Sequence, residues 1–129
     1  MSKRMGLVIA AAAVVFLGYG VPAFAADVTG ILVDEGCYMK DKANVGLAHA
    51  GMSATCATDC ATKGNQVAIV TKEGVVYEVM AMGTLAGEKN AKLVPHMTHT
   101  VTLTGEIADG AAGKPKMLHA TALKMISKP

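Results

Sequence analysis

All three cysteines of this 129-residue chain lie between positions 37 and 60, and a histidine sits between the first two. The stretch runs from Cys37 through His49 to Cys56 and Cys60. Whether these side chains pair as a disulfide or share a cation, their chemistry pulls Cys37 back against the Cys56/Cys60 pair. On either of those two readings the segment folds as an insertion whose ends meet, and the rest of the chain supplies the scaffold that holds them.

The segment before it divides in two. Lys3 and Arg4 form a positive head, Leu7 to Leu17 an uncharged apolar core, and Ala23-Phe24-Ala25 a small-x-small cleavage site. This is the layout of a secretory signal peptide over residues 1–25, cut before Ala26. The apolar core is shorter than the roughly 20 residues a transmembrane helix requires, and it ends at Gly18, Gly20 and Pro22. No cysteine follows the cut to carry a lipid. The expectation is a periplasmic or secreted product of residues 26–129 with no membrane attachment after cleavage, an uncleaved anchor being the alternative.

Without Lys3 and Arg4 the formal charge falls from +2 to zero, with ten lysines against ten acidic residues. Such a domain has no electrostatic footprint for nucleic acid or anionic lipid. Tyr38 and Tyr77 are its only aromatics, too few for a base-stacking platform. Nucleic acid is therefore excluded as a partner. The core has to be aliphatic, with methionine as filler, in a single domain of modest stability.

Alternation and β-branched residues mark five strands. They are Val28–Asp34 with Gly30 as a bend or bulge, Gln66–Thr71, Val75–Met82 after a Lys72-Glu73-Gly74 turn, Val101–Ile107, and Met117–Ile126. Two short helices are expected. Ser53 can cap one that ends at Gly64 and carries Cys56 and Cys60 at i and i+4, on one face. Thr84 can cap another running to about Leu93 and ended by Pro95. Residues 38–51 are read as a loop with a helical turn. The order predicts a mainly β, five-stranded OB-like Greek-key barrel. The cysteine-bearing loop and short helix lie between strands 1 and 2, and a short helix lies between strands 3 and 4. An open meander or sandwich is the competing architecture.

Taken in order, Val33-Asp34-x-x-Cys37, His49, Cys56-x-x-x-Cys60-Ala61-x-x-Gly64 and Val67-Ala-Ile-Val-Thr-Lys-Glu-Gly-Val-Val-Tyr77 form a pattern. It resembles a group of small exported bacterial domains of unknown function. Those look OB-like and close on a Val-x-Leu-x-Gly strand, here Val101 to Gly105. The resemblance implies the fold and a shared Cys…His…Cys-x3-Cys site, and supplies no activity.

Cys37, His49, Cys56 and Cys60 make a donor set suited to tetrahedral Zn²⁺, and the sulfurs also suit Cu(I). The spacing is not that of a zinc ribbon or finger. The opposing reading is a disulfide from Cys37 to Cys56 or Cys60, stabilising the domain by about 2–4 kcal/mol, with the third cysteine free. A Cys56–Cys60 bridge is strained at helical spacing. Sco-type copper chaperones share the Cys-x-x-x-Cys and distant His, but their fold is thioredoxin-like and their motif continues into Pro, where this chain has Ala61. The likeness is one of ligand chemistry. Met39 and Met52 are the only soft supplements within the insertion.

Elsewhere, His96-Met97-Thr98-His99 could serve a copper ion, although exposed histidines at a strand start are the simpler account. His119 reads as core-edge or solvent-facing. Met80 with Met82, and Met117 with Met125, have even spacings that put each pair on one face, and core packing is the expectation for all four. No nucleophile elbow, phosphate loop or H-E-x-x-H is present, and Asp34 and Glu35 would point to opposite sides of a strand. A non-catalytic metal-binding module is the leading reading. A disulfide-stapled interaction module with an unknown protein partner comes second, and a Cys56/Cys60 thiol–disulfide protein third. A monomer is expected, with dimerisation through an unpaired cysteine as the alternative.

Overall fold

The computed structural model describes residues 25–129, so the signal-peptide reading lies outside the described residues. Among those described, no helix is long and apolar enough to cross a membrane. Five strands carry the fold: β1 (Ala26–Asp34), β2 (Val67–Thr71), β3 (Val76–Ala81), β4 (Thr100–Ala108) and β5 (Lys116–Ser127). They close into a ring in the order β1-β2-β3-β5-β4. All pairings are antiparallel except β3 with β5, which is parallel. Each strand expected from the sequence is present within two residues of its predicted ends.

Closure depends on β1 serving two neighbours. Its first half, Ala26–Ile31, pairs with β4, and its second half, Gly30–Asp34, pairs with β2. The halves overlap at Gly30 and Ile31. A Cβ at Gly30 would run into the Val70 carbonyl, so glycine is the residue that lets the bent strand approach β2.

Val28, Leu32, Val67, Ile69, Val79, Val101, Leu103, Leu118 and Ala120 fill the ring. Ala57, Ala61, Leu93 and Met97 join them from the connections. A second cluster, Val33, Tyr38, Ala68 and Val70, covers the other face of β1 and β2. Those two strands are thus apolar on both sides, and β2 reads Val-Ala-Ile-Val without alternation. β4 is covered on one side only and alternates cleanly.

Three expectations are corrected. The helix from Thr84 to Leu93 is replaced by 3₁₀ turns at Gly83–Leu85, Glu88–Asn90 and Val94–His96. Gly87 is extended, Lys89 and Asn90 take positive φ (46° and 61°), and Pro95 follows, so no α-helical run survives. The Asn90 amide donates to the carbonyls of Ala61 and Asn65 (2.9 and 2.8 Å), which binds this connection to the cysteine insertion. Second, Met80, Met82 and Met125 are more than 40 % exposed rather than core, and among the described residues the buried methionine is Met97. Third, Met117 and Met125 do not share a face. The register with β4 slips between Thr104 and Gly105, leaving Thr121 unpaired and inverting the alternation of β5 beyond it.

Candidate metal centre

Two short helices and the loop between them build the site at the end of β1. Helix α1 (Glu35–Lys40) begins where β1 stops, so Cys37 lies on a helix rather than in the expected loop. Asp34 caps it, with Oδ1 accepting from the Cys37 amide at 2.9 Å. Cys37 is 6 % exposed. Its carbonyl accepts from Asn44 Nδ2 and from the Asp41 amide (3.0 and 3.1 Å), which fixes how the loop leaves the helix.

The loop returns through His49. A turn follows, closed by Met52 N donating to the His49 carbonyl (3.0 Å), with Gly51 at φ 75°. Helix α2 (Cys56–Thr62) then starts with Thr55 as N-cap rather than Ser53. Both hydroxyls are used differently from the expectation, since Ser53 Oγ and Thr55 Oγ1 donate to the Asp59 carboxylate (3.0 and 2.9 Å). Ala57 and Ala61 face the ring core, and the Ala57 amide donates to the Leu47 carbonyl (3.1 Å). Small side chains at 57 and 61 let the helix lie close, which turns Cys56 and Cys60 toward Cys37.

The result is a compact donor cluster. Cys37 Sγ, a His49 ring nitrogen and Cys56 Sγ all lie within 4.8 Å of one another, and all three residues are buried. This group could hold a metal ion. A second triad, Asp34, Cys37 and Cys60, meets the same limit and shares Cys37 with the first. Cys60 Sγ is 3.8 Å from Cys56 Sγ. The three cysteines are free thiols. Of the four donors expected from sequence, Cys37, His49 and Cys56 come together, and Cys60 joins through its two sulfur neighbours.

Sequence reasoning misses Asp34 and gives Met52 only a supporting place. Asp34 was read as a strand residue pointing away from Glu35, whereas the strand ends there and Asp34 becomes a helix cap. The signal available was its position three residues before Cys37, the spacing of an N-cap to the amide it receives. Met52, named only as a supplement, places its sulfur 3.3 Å from Cys56 Sγ.

The electrostatics favour neutral donors. Burial, then the hydrogen bond and charge of Asp34, then Cys56, push the Cys37 thiol up to about 12. Cys60 is pushed up as well, by burial first and then by Cys56. His49 is 4 % exposed, and neither ring nitrogen has a hydrogen-bond partner. One Asp34 oxygen, Oδ2, is also buried without one. Buried polar atoms are nearly always partnered, so a cluster of orphans beside three thiols is chemically specific. Against Asp34 lies an open cavity of about 590 Å³, lined also by Glu35, Gln66, Glu78 and Lys114. Burial, then Glu78, raise the Glu35 carboxyl above its ordinary range.

His96 and His99 are not the exposed pair expected. Both are partly buried, their rings meet edge to face at 5.9 Å, and each Nδ1 is buried without a partner. Neither belongs to a metal-capable grouping among the described residues.

No protein-family model, curated protein or solved structure matches the chain.

Proposed function

We propose that the chain is an exported, non-catalytic metal-binding module on an OB-like Greek-key barrel. It takes Zn²⁺ or Cu(I) through Cys37, His49 and Cys56, with Cys60 as the fourth donor. The observation that carries this is the buried Cys37–His49–Cys56 group, all within 4.8 Å, around an imidazole with no other partner. The Cys56–Cys60 separation adds to it. Two thiolates at about 2.3 Å from one tetrahedral ion stand about 3.8 Å apart, and these sulfurs stand 3.8 Å apart. The β1-β2-β3-β5-β4 order with a parallel β3–β5 pair supports the OB-like reading. The leader-like residues 1–25, with β1 starting at Ala26, support export.

A disulfide staple is the rival, because the same sulfurs lie close enough to react after small movements. It leaves both His49 nitrogens buried and unpartnered, at about 1–3 kcal/mol for each unsatisfied group. A metal ion gives one of them a bond, and that asymmetry favours the metal.

The test is metal content and free-thiol count on the same protein, expressed for export and purified without added metal, with His49→Ala in parallel. The proposal expects one equivalent of zinc or copper, lost in the variant, and three thiols released by chelator. Absence of metal together with one free thiol sinks it and makes the cysteines a staple.

A further inference from the structure

The Cys56 thiol donates to the Met52 thioether at the edge of the donor cluster. Met52 is 50 % exposed and lies on the loop between the two helices. Yet its sulfur lies 3.3 Å from the Cys56 sulfur, and its amide is bound to the His49 carbonyl at 3.0 Å. One turn therefore delivers two donors three residues apart, the His49 ring and the Met52 thioether, to the same buried thiol. Cys56 is 5 % exposed, whereas Met52, in contact with it, is half exposed.

Resting on the metal-binding reading above, we propose that Met52 is a ligand of the site and that the ion it selects is Cu(I). A thioether is an uncharged, soft donor. It adds strength to a cuprous ion and almost none to Zn²⁺, whose protein ligands are thiolate, imidazole and carboxylate. Cys37, His49, Cys56 and Met52 form the soft side of the cluster. The hard oxygen of Asp34 sits with Cys37 and Cys60 on the other triad, and one of its two oxygens is already engaged by the Cys37 amide. Because Met52 alone of these donors is half exposed, it is the donor that a cuprous ion meets first on arrival and leaves last on departure. The site then handles Cu(I) as exchangeable cargo, acquired and given up by ligand exchange on the Met52 side.

The experiment compares the exported, cleaved wild type with Met52→Leu, whose side chain keeps the bulk and loses the sulfur. Cu(I) affinity is measured by competition with a chromophoric Cu(I) chelator under reducing conditions, and Zn²⁺ affinity by a zinc indicator. The expected result is a loss of Cu(I) affinity on the order of tenfold or more, with Zn²⁺ affinity unchanged. A second readout is independent of affinity. In selenomethionine-labelled protein loaded with Cu(I), copper X-ray absorption should show a selenium neighbour, and Met52→Leu should remove it. Unchanged Cu(I) affinity, an equal fall for both metals, or no selenium neighbour overturns the role of Met52 while leaving the metal site standing. Failure of wild type to bind either ion overturns this inference and the metal-binding reading together.

Discussion

Asp34 performs two separable tasks, and two substitutions should pull them apart. Its Oδ1 caps α1 through a 2.9 Å bond to the Cys37 amide, and its charge helps to push the Cys37 thiol up to about 12. Asp34→Ala removes both. Losing an N-cap costs about 1 kcal/mol, which in a domain of roughly 100 residues lowers Tm by about 4–8 °C. Asp34→Asn keeps an amide oxygen at the same place, and Asn caps helices as well as Asp does. It should therefore hold Tm to within about a quarter of the alanine loss, since only the charge has gone. The thiol should respond in both variants. Burial is the first cause of the Cys37 shift and survives both substitutions; Asp34→Ala removes the hydrogen bond and the charge of the carboxylate, and Asp34→Asn removes the charge. The titration of Cys37 should thus move down from about 12 and still end above an ordinary thiol. The assay is the pH dependence of alkylation at Cys37, mapped by peptide mass spectrometry on chelator-treated, fully reduced protein, beside thermal melts. If Asp34→Asn is as unstable as Asp34→Ala, the oxygen at position 34 does not hold the helix. If the Cys37 titration stays where it was, the carboxylate does not act on the thiol, and the reasoning fails on that arm.

Two further perturbations probe the frame around the site. The Asn90 amide bonds to the carbonyls of Ala61 and Asn65, and its backbone sits at φ 61°. Asn90→Ala should cost about 2 kcal/mol in urea denaturation, and Asn90→Gly should relieve only the backbone share; equal losses in both would assign the whole effect to the hydrogen bonds. His99 is held below its ordinary 6.5, by burial first, then by His96 and Lys128. The folded state therefore binds that proton more weakly than the unfolded chain does. Stability should fall as pH drops below about 6.5 and level off once the lowered pKa is passed. His99→Gln should flatten that part of the profile in denaturation curves, and an unaltered slope would move the effect to other groups.

The strands were legible because each has a face that must be apolar, and alternation or β-branching records it. Which face is interior was not legible. Met80 and Met82 do share a side, as their spacing requires, but that side is solvent. For Met117 and Met125 even the shared side was lost, since one unpaired residue at Thr121 inverts everything after it. The pair Cys56 and Cys60 was readable from helical spacing and the cap-like residues before it. Cys37 was harder, because a helix of six residues leaves almost no periodic trace, and its start is marked by a single capping residue. The turn that presents His49 and Met52 is set by a backbone bond and one positive φ, neither of which any pattern of residue types encodes uniquely.

This division has a thermodynamic counterpart. The ring is stabilised by aliphatic burial, which tolerates changes of residue so long as volume and alternation are kept. The insertion instead buries an unpartnered imidazole, an unpartnered carboxylate oxygen and thiols held in their neutral form. The unpartnered imidazole and carboxylate oxygen oppose folding of the empty segment. Binding of a cation gives the imidazole a bond and gathers the thiols as ligands with loss of their protons, so burial of these donors becomes favourable. A site arranged in this way links the order of residues 35–62 to occupancy, with a gain that grows as RT ln(1 + [L]/Kd), about 2.7 kcal/mol at a hundredfold excess over Kd. The ring should feel little of that gain. Hydrogen exchange would then show protection rising in α1, α2 and the loop between them when metal is added, with β3 and β5 unchanged. A uniform rise across the ring would mean that the insertion and the ring fold as one unit, and the separation argued here would be wrong.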